Sequence, residues 1–157
     1  MAQESLTDID KKILSILAND SSITNIELSK KIGISASACL ARTNRLKTNG
    51  VIKKYVAIID DQSVGMGFMA FTTVTLSQPN RETAEHVVDH IMSLPNVLEC
   101  YNISGDCDYM LKIVAKDAKD FRSFVLDKLM HVEGIGKIST SVVLHVEKRE
   151  FSVLDMD

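Results

Sequence analysis

The sequence predicts an α+β chain: an N-terminal three-helix winged helix-turn-helix followed by a C-terminal ferredoxin-like βαββαβ domain. Three features point there. Two short amphipathic helices are joined by nothing more than a Gly-Ile step at Gly33 and Ile34, charge and composition change near residue 60, and β-branched strands alternate with amphipathic helices from Phe68 onward.

The first helix is expected over residues 7–19. Thr7 is a natural N-cap, Asp8 and Asp10 sit in the first turn where the helix dipole favours negative charge, and Ile9, Ile13, Leu14, Ile16 and Leu17 recur at helical spacing. After the polar break Asn19-Asp20-Ser21-Ser22, Thr24 and Glu27 form a capping-box pattern for a short helix carrying Ile26, Leu28 and Ile32, which Gly33 ends. Ser35 caps a third helix over residues 36–48, and Gly50 is placed to stop it. Within it Cys39, Thr43 and Leu46 fall at i, i+4, i+7 and are predicted to face inward, while Ala38, Ala41, Arg42 and Arg45 share a different, outer face.

Residues 51–60 (VIKKYVAIID) read as a connecting strand and residues 61–67 as a linker. Beyond it the pattern is strand 68–76, a Pro79-Asn80 break, helix 81–94 with Val87, Val88, Ile91 and Met92 as its apolar stripe, strand 97–104, turn 105–108, strand 109–115, helix 118–130 and strand 137–148. A shift of 38 residues places Val87, Val88, Ile91, Met92 and Val97 on Val125, Leu126, Leu129, Met130 and Ile135, an echo of the two interleaved βαβ halves of this fold. The predicted domains are residues 1–60, which take the connecting strand, and residues 68–157.

Hydrophobic residues make up 45% and charged residues 25% of the 157, enough apolar surface for a packed core and contrary to disorder. The formal net charge of -3 argues against a protein that is basic all over, but the average hides a split. Residues 1–60 carry nine Lys/Arg against six Asp/Glu, and residues 61–157 carry nine against fifteen, so a polyanion partner is suited to the first part only. Cys39, Cys100 and Cys107 are odd in number and lack CxxC spacing, which indicates neither a disulfide framework nor a zinc ribbon. No signal-type or membrane-length apolar run is present, so a cytoplasmic location is expected. His86 and His90 have the i, i+4 spacing of a zinc face, but without the full HExxH pattern they read as a solvated helix face. No metal, cofactor or catalytic residue is predicted, because each candidate nucleophile lacks a neighbouring base in sequence.

A major-groove reader needs a helix with short side chains for close approach and a few long donors, plus groups that fix it on phosphate. Residues 25–48 supply these: Arg42 and Arg45 one turn apart, Ser35 and Ser37 at the helix start, small Ala38 and Ala41, and Lys47 with Lys53 and Lys54 for charge contacts to double-stranded DNA. The same residues also suit a solvated basic face of a three-helix domain.

The stretch LTDIDKKILSILANDSSITNIELSKKIGISASACLARTNRLKTNGVIKKYVAIID resembles the N-terminal domain of the leucine-responsive regulator/asparagine regulator (Lrp/AsnC) family. SGDCDYML at residues 104–111 and STSVVLHVEK at residues 139–148 resemble that family's effector domain, so the likeness covers nearly the whole chain. It implies a DNA-binding transcription regulator that forms a homodimer and often an octamer. It further implies an amino-acid effector such as leucine or methionine held between neighbouring effector domains. The matching positions here are Asn102, Gly105, Asp106, Asp108, Thr140 and Ser141. The chain departs from the family pattern at Cys107, where a bulky or aromatic residue is usual, and at Ser141, where a larger one is. Those residue types suit a zwitterion: turn N–H groups for a carboxylate, an Asp for an ammonium, hydroxyls to complete the polar shell. Gly-Asp is equally ordinary hairpin-turn chemistry. A different class of reading, a metabolite-binding protein or small enzyme on the ferredoxin-like domain with the helices serving oligomerisation, is compatible with the same fold.

Overall fold

A computed structural model of the chain describes residues 5–149, which separate into two compact units. The first comprises residues 5–58 with Lys148 and Arg149, the second residues 59–147.

The helical unit contains α1 (Asp8–Asn19), α2 (Asn25–Ile32) and α3 (Ala36–Thr48). Each begins on the cap that its sequence supplies. Thr7 and Asp10 form a reciprocal capping box on α1, Thr24 and Glu27 do the same on α2, and the Ser35 hydroxyl accepts the Ala38 N–H on α3. Gly33 closes α2 at φ +83°, a left-handed conformation that a side chain resists, and this lets α3 start almost at once. Ile13, Leu14, Leu28, Cys39 and Leu46 make the buried core, with Ile9, Ile16, Leu17, Ile23, Ile32, Ile34 and Ile52 packed around it. The predicted strand over residues 51–60 is not formed. The segment carries no ladder pairing, because no strand of the described chain runs beside it, and Tyr55, Val56, Ile58 and Ile59 are exposed.

The second unit is β1 (Phe68–Leu76), α4 (Arg81–Met92), β2 (Val97–Asn102), β3 (Tyr109–Ala115), α5 (Ala118–Asp127), a single 3-10 turn (Leu129–His131) and β4 (Ile135–Val142). All ladders are antiparallel, in the order β2-β3-β1-β4 that interleaved βαβ halves produce. Val87 and Ile91 of α4 and Phe124 of α5 pack with Val74, Leu111 and Ile113, so both helices cover one sheet face. At about 25 cal/mol per Å², each such fully buried aliphatic side chain contributes roughly 1.5–3 kcal/mol.

Several ends differ from expectation for local reasons. Strand 97–104 stops at Asn102, because Ile103 N–H turns to the Asp108 carbonyl, and the final strand begins at Ile135 rather than 137. The final strand stops at Val142 rather than 148. Val142 pairs with Ala70 and the last bond, Val143 N–H to Met69 O, comes one residue from the start of β1; Leu144 is 96% exposed. Helix 81–94 ends at Met92, which is 70% exposed rather than part of the apolar stripe, while Leu94 beyond the helix is buried. Helix 118–130 gives way after Asp127 to the 3-10 turn that buries Leu129.

Candidate nucleic-acid interface and effector turn

Cys39, Thr43 and Leu46 of α3 are buried as predicted, which turns Ser37, Ala38, Ala41, Asn44, Arg45, Lys47 and Thr48 outward and exposed; Ser35, ahead of the helix, is exposed as well. Lys47 lies with its ammonium 4.8 Å from the Tyr55 ring centre, a cation–π contact that orients it.

The two arginines are not a free outward pair. Asp10, in the first turn of α1, has a fully buried carboxylate that accepts Arg42 Nη1–H at 3.1 Å and Arg45 Nη2–H at 2.9 Å. Its Oδ2 also accepts the Thr7 N–H at 3.1 Å and the Thr7 hydroxyl at 2.6 Å. Burial works to raise the Asp10 pKa, but the Thr7 hydrogen bonds, the Arg42 hydrogen bond and the Arg45 charge prevail and hold it below the ordinary carboxylate range. The arginine side chains remain 32% and 43% exposed, so each guanidinium has donors left for a phosphate. Sequence spacing puts Asp10 in the α1 first turn as a residue that suits the helix dipole. Nothing local to positions 8–10 signals that it also pins α3.

Asn102 and residues 105–108 lie together at the β2–β3 turn, with Gly105 at φ +123°. The Asp108 carbonyl accepts Ile103 N–H and Asn102 Nδ2–H, each at 3.0 Å. Asp108 N–H donates to Val74 O at 3.0 Å, and its Oδ2 accepts Leu76 N–H at 2.8 Å, fixing the turn to the end of β1. Asp108 is half-buried and Asp106 is exposed. Thr140 and Ser141 are not beside the turn. Thr140 of β4 pairs with Thr72 of β1, where the two hydroxyls share a hydrogen bond at 3.1 Å, and β1 stands between β4 and β3. As neighbours along a strand, Thr140 and Ser141 point to opposite sheet faces. Burial raises the pKa of the Cys100 thiol, which opposes thiolate formation. Among the described residues no group of three or more His, Cys, Asp or Glu is placed to hold a metal, and no helix is long and apolar enough to cross a membrane.

A capped helix-turn-helix with a small-residue outer face, carried with a ferredoxin-like unit whose polar turn is anchored to the sheet, defines a DNA-binding transcription regulator with a ligand-binding module. Comparison with known proteins gives the same class. The winged helix-turn-helix DNA-binding family profile matches residues 6–53, and the Lrp/AsnC ligand binding domain profile matches residues 69–153. The chain is 47% identical over 148 residues to the transcriptional regulator AzlB of Bacillus subtilis, covering 94% of each. It is 32% identical over 144 residues to the leucine-responsive regulatory protein of Escherichia coli, covering 92% of this chain and 88% of that one. A crystal structure of the transcriptional regulator NMB0573/L-Met complex from Neisseria meningitidis superposes with a TM-score of 0.91 at 32% identity, covering 95% of this chain and 96% of that chain. The chain belongs to the Lrp/AsnC family of transcription regulators.

Proposed function

We propose that this regulator binds double-stranded DNA through the outer face of α3 and changes its DNA affinity or assembly when an amino acid occupies the effector domain. It acts without catalysis, in the cytoplasm. The observation that carries the DNA reading is the geometry of α3: an inward face locked into the core, an outer face of small side chains that permits close approach, and arginines held on its flank. Ser35, Ser37, Ala38, Ala41, Arg42, Arg45 and Lys47 form this interface, and residues 1–60 and 68–157 are the DNA-binding and effector domains.

The effector set is Asn102, Gly105, Asp106 and Asp108 at the turn and Thr140 and Ser141 on β4. Within one sheet these halves stand two strands apart, about 10 Å at ordinary strand spacing. That separation favours a ligand held between neighbouring copies, so the chain works as a homodimer or a higher oligomer such as an octamer. Methionine is a natural first ligand to try, since a relative was crystallised as an L-Met complex; leucine is the second.

Titration of labelled duplex DNA at several salt concentrations tests the first half. The expected result is a log-log affinity slope steeply negative in salt, as phosphate neutralisation requires, together with tighter binding to a selected duplex than to random duplex. Equal affinity for all duplexes at physiological salt would contradict sequence-specific regulation.

A further inference from the structure

The outer face of α3 carries an uncharged polar residue, Asn44, at its centre. With about 100° of rotation per residue, the buried Cys39, Thr43 and Leu46 set the inward direction, and the positions opposite them are Ser37, Ala41, Asn44 and Thr48. All four are exposed. Arg42 and Arg45 fall to one side of this stripe, where Asp10 takes both guanidiniums. The centre of the face therefore belongs to short side chains and to Asn44.

Of the four, Asn44 alone combines an amide donor with a carbonyl acceptor in one plane, the pattern that matches the N6/N7 edge of adenine. Ala41, one turn earlier, presents only a methyl group beside it and leaves room for a base pair to approach. Among the described residues, no hydrogen bond within the chain engages the Asn44 carboxamide. Asn is also a weak helix former compared with Ala, Lys or Glu, so at an exposed mid-helix position it detracts from the stability of α3 without a compensating internal contact.

We propose that Asn44 is the base-reading residue of this chain, binding an adenine in the major groove, while Arg42 and Arg45, fixed by Asp10, grip the flanking phosphates. The proposal rests on the DNA-binding reading above and adds to it a residue and a base. Arg42 and Arg45 then set affinity and register, and Asn44 sets sequence preference.

The test is selection from a randomised duplex library with the full-length protein and its Asn44→Ala variant, followed by titrations on the wild-type motif and on random duplex. The expected wild-type motif has at least one position per half-site restricted to adenine. Asn44→Ala should lose the preference at that position and bind the wild-type motif about 5- to 150-fold more weakly. Its affinity for random duplex should change by less than about twofold, because phosphate contacts supply that binding. The denaturation midpoint should hold or rise, a readout that separates base reading from a structural role. An unchanged motif and affinity in Asn44→Ala would overturn the Asn44 assignment and leave DNA binding intact, as would a wild-type motif with no adenine-restricted position. A wild type that enriches no motif would overturn the DNA reading itself, and this proposal with it.

Discussion

Replacing Asp10 with Asn should destabilise the helical unit far more than an exposed first-turn carboxylate would. The carboxylate is fully buried and receives two guanidinium hydrogen bonds besides those of Thr7. Asn keeps the size but loses the charge, and one of the two oxygens that separately accept from Arg42 and Arg45 becomes an NH2 donor. Charge-assisted hydrogen bonds contribute roughly 1.5–3 kcal/mol each, and losing one partner of a buried pair costs about 3–5 kcal/mol. Because the arginines are partly exposed, they recover hydration when released, which places the expected loss lower, at about 2–3 kcal/mol. A helical unit of this size has only about 3–8 kcal/mol in total at ordinary per-residue stability, so about a quarter or more would go. Urea denaturation of the full-length protein, followed by far-ultraviolet circular dichroism at pH 7, measures it. A loss under about 0.5 kcal/mol would refute the reasoning, since it would mean the pairs amount to no more than ordinary surface pairs. The pH dependence supplies a second reading. The folded pKa of Asp10 is depressed, so the unfolded chain binds the proton more tightly; the stabilisation is complete above about pH 4 and is lost as the pH falls through the folded value. The Asn variant should lack that acid-dependent component.

Further predictions concern both units. Arg42→Ala with Arg45→Ala should weaken DNA binding and also lower the melting temperature, because both residues anchor to Asp10; unchanged stability would count against the ion-pair geometry. Asp108→Asn should keep the turn, since the amide oxygen can still accept Leu76 N–H, but lose amino-acid binding in calorimetric titration, whereas equal affinity would remove Asp108 from the effector set. Gly134→Ala should destabilise the sheet unit by about 2–4 kcal/mol in denaturant titration, since a Cβ there would lie 2.6 Å from Thr83 Cγ2 and 3.0 Å from Val87 Cγ2; a neutral variant would show that α4 can give way. Light scattering at micromolar concentration should give a dimer or larger, and a monomer would contradict the assembly proposed here.

Caps and periodicity made much of the fold legible. Thr7, Thr24 and Ser35 start their helices as read, and β1 and β3 match their predicted spans residue for residue, because each signal is local. What failed depends on distant partners. Residues 51–60 have a strand's composition but no strand pairs with them among the described residues, and β4 ends at Val142, opposite Ala70 near the start of β1. The exposed outer face of α3 was legible from its spacing, but the hold of Asp10 on its arginines was not. Asp10 lies more than thirty residues from the arginines it binds, so spacing within α3 could not show that Arg42 and Arg45 are tethered. Asn44 is uncharged, so a reading by charge does not single it out, although the inward positions Cys39, Thr43 and Leu46 place it on the opposite, exposed face.

The most direct test of the central claim is the affinity of the full-length protein for its selected duplex, measured by fluorescence anisotropy with and without each of the twenty free amino acids. One or two of them, methionine and leucine first among the candidates, should shift the midpoint or the stoichiometry by several-fold, and Asp108→Asn should abolish the shift while keeping the DNA affinity measured without ligand. Tight, sequence-specific binding that no amino acid alters would contradict an amino-acid-responsive regulator.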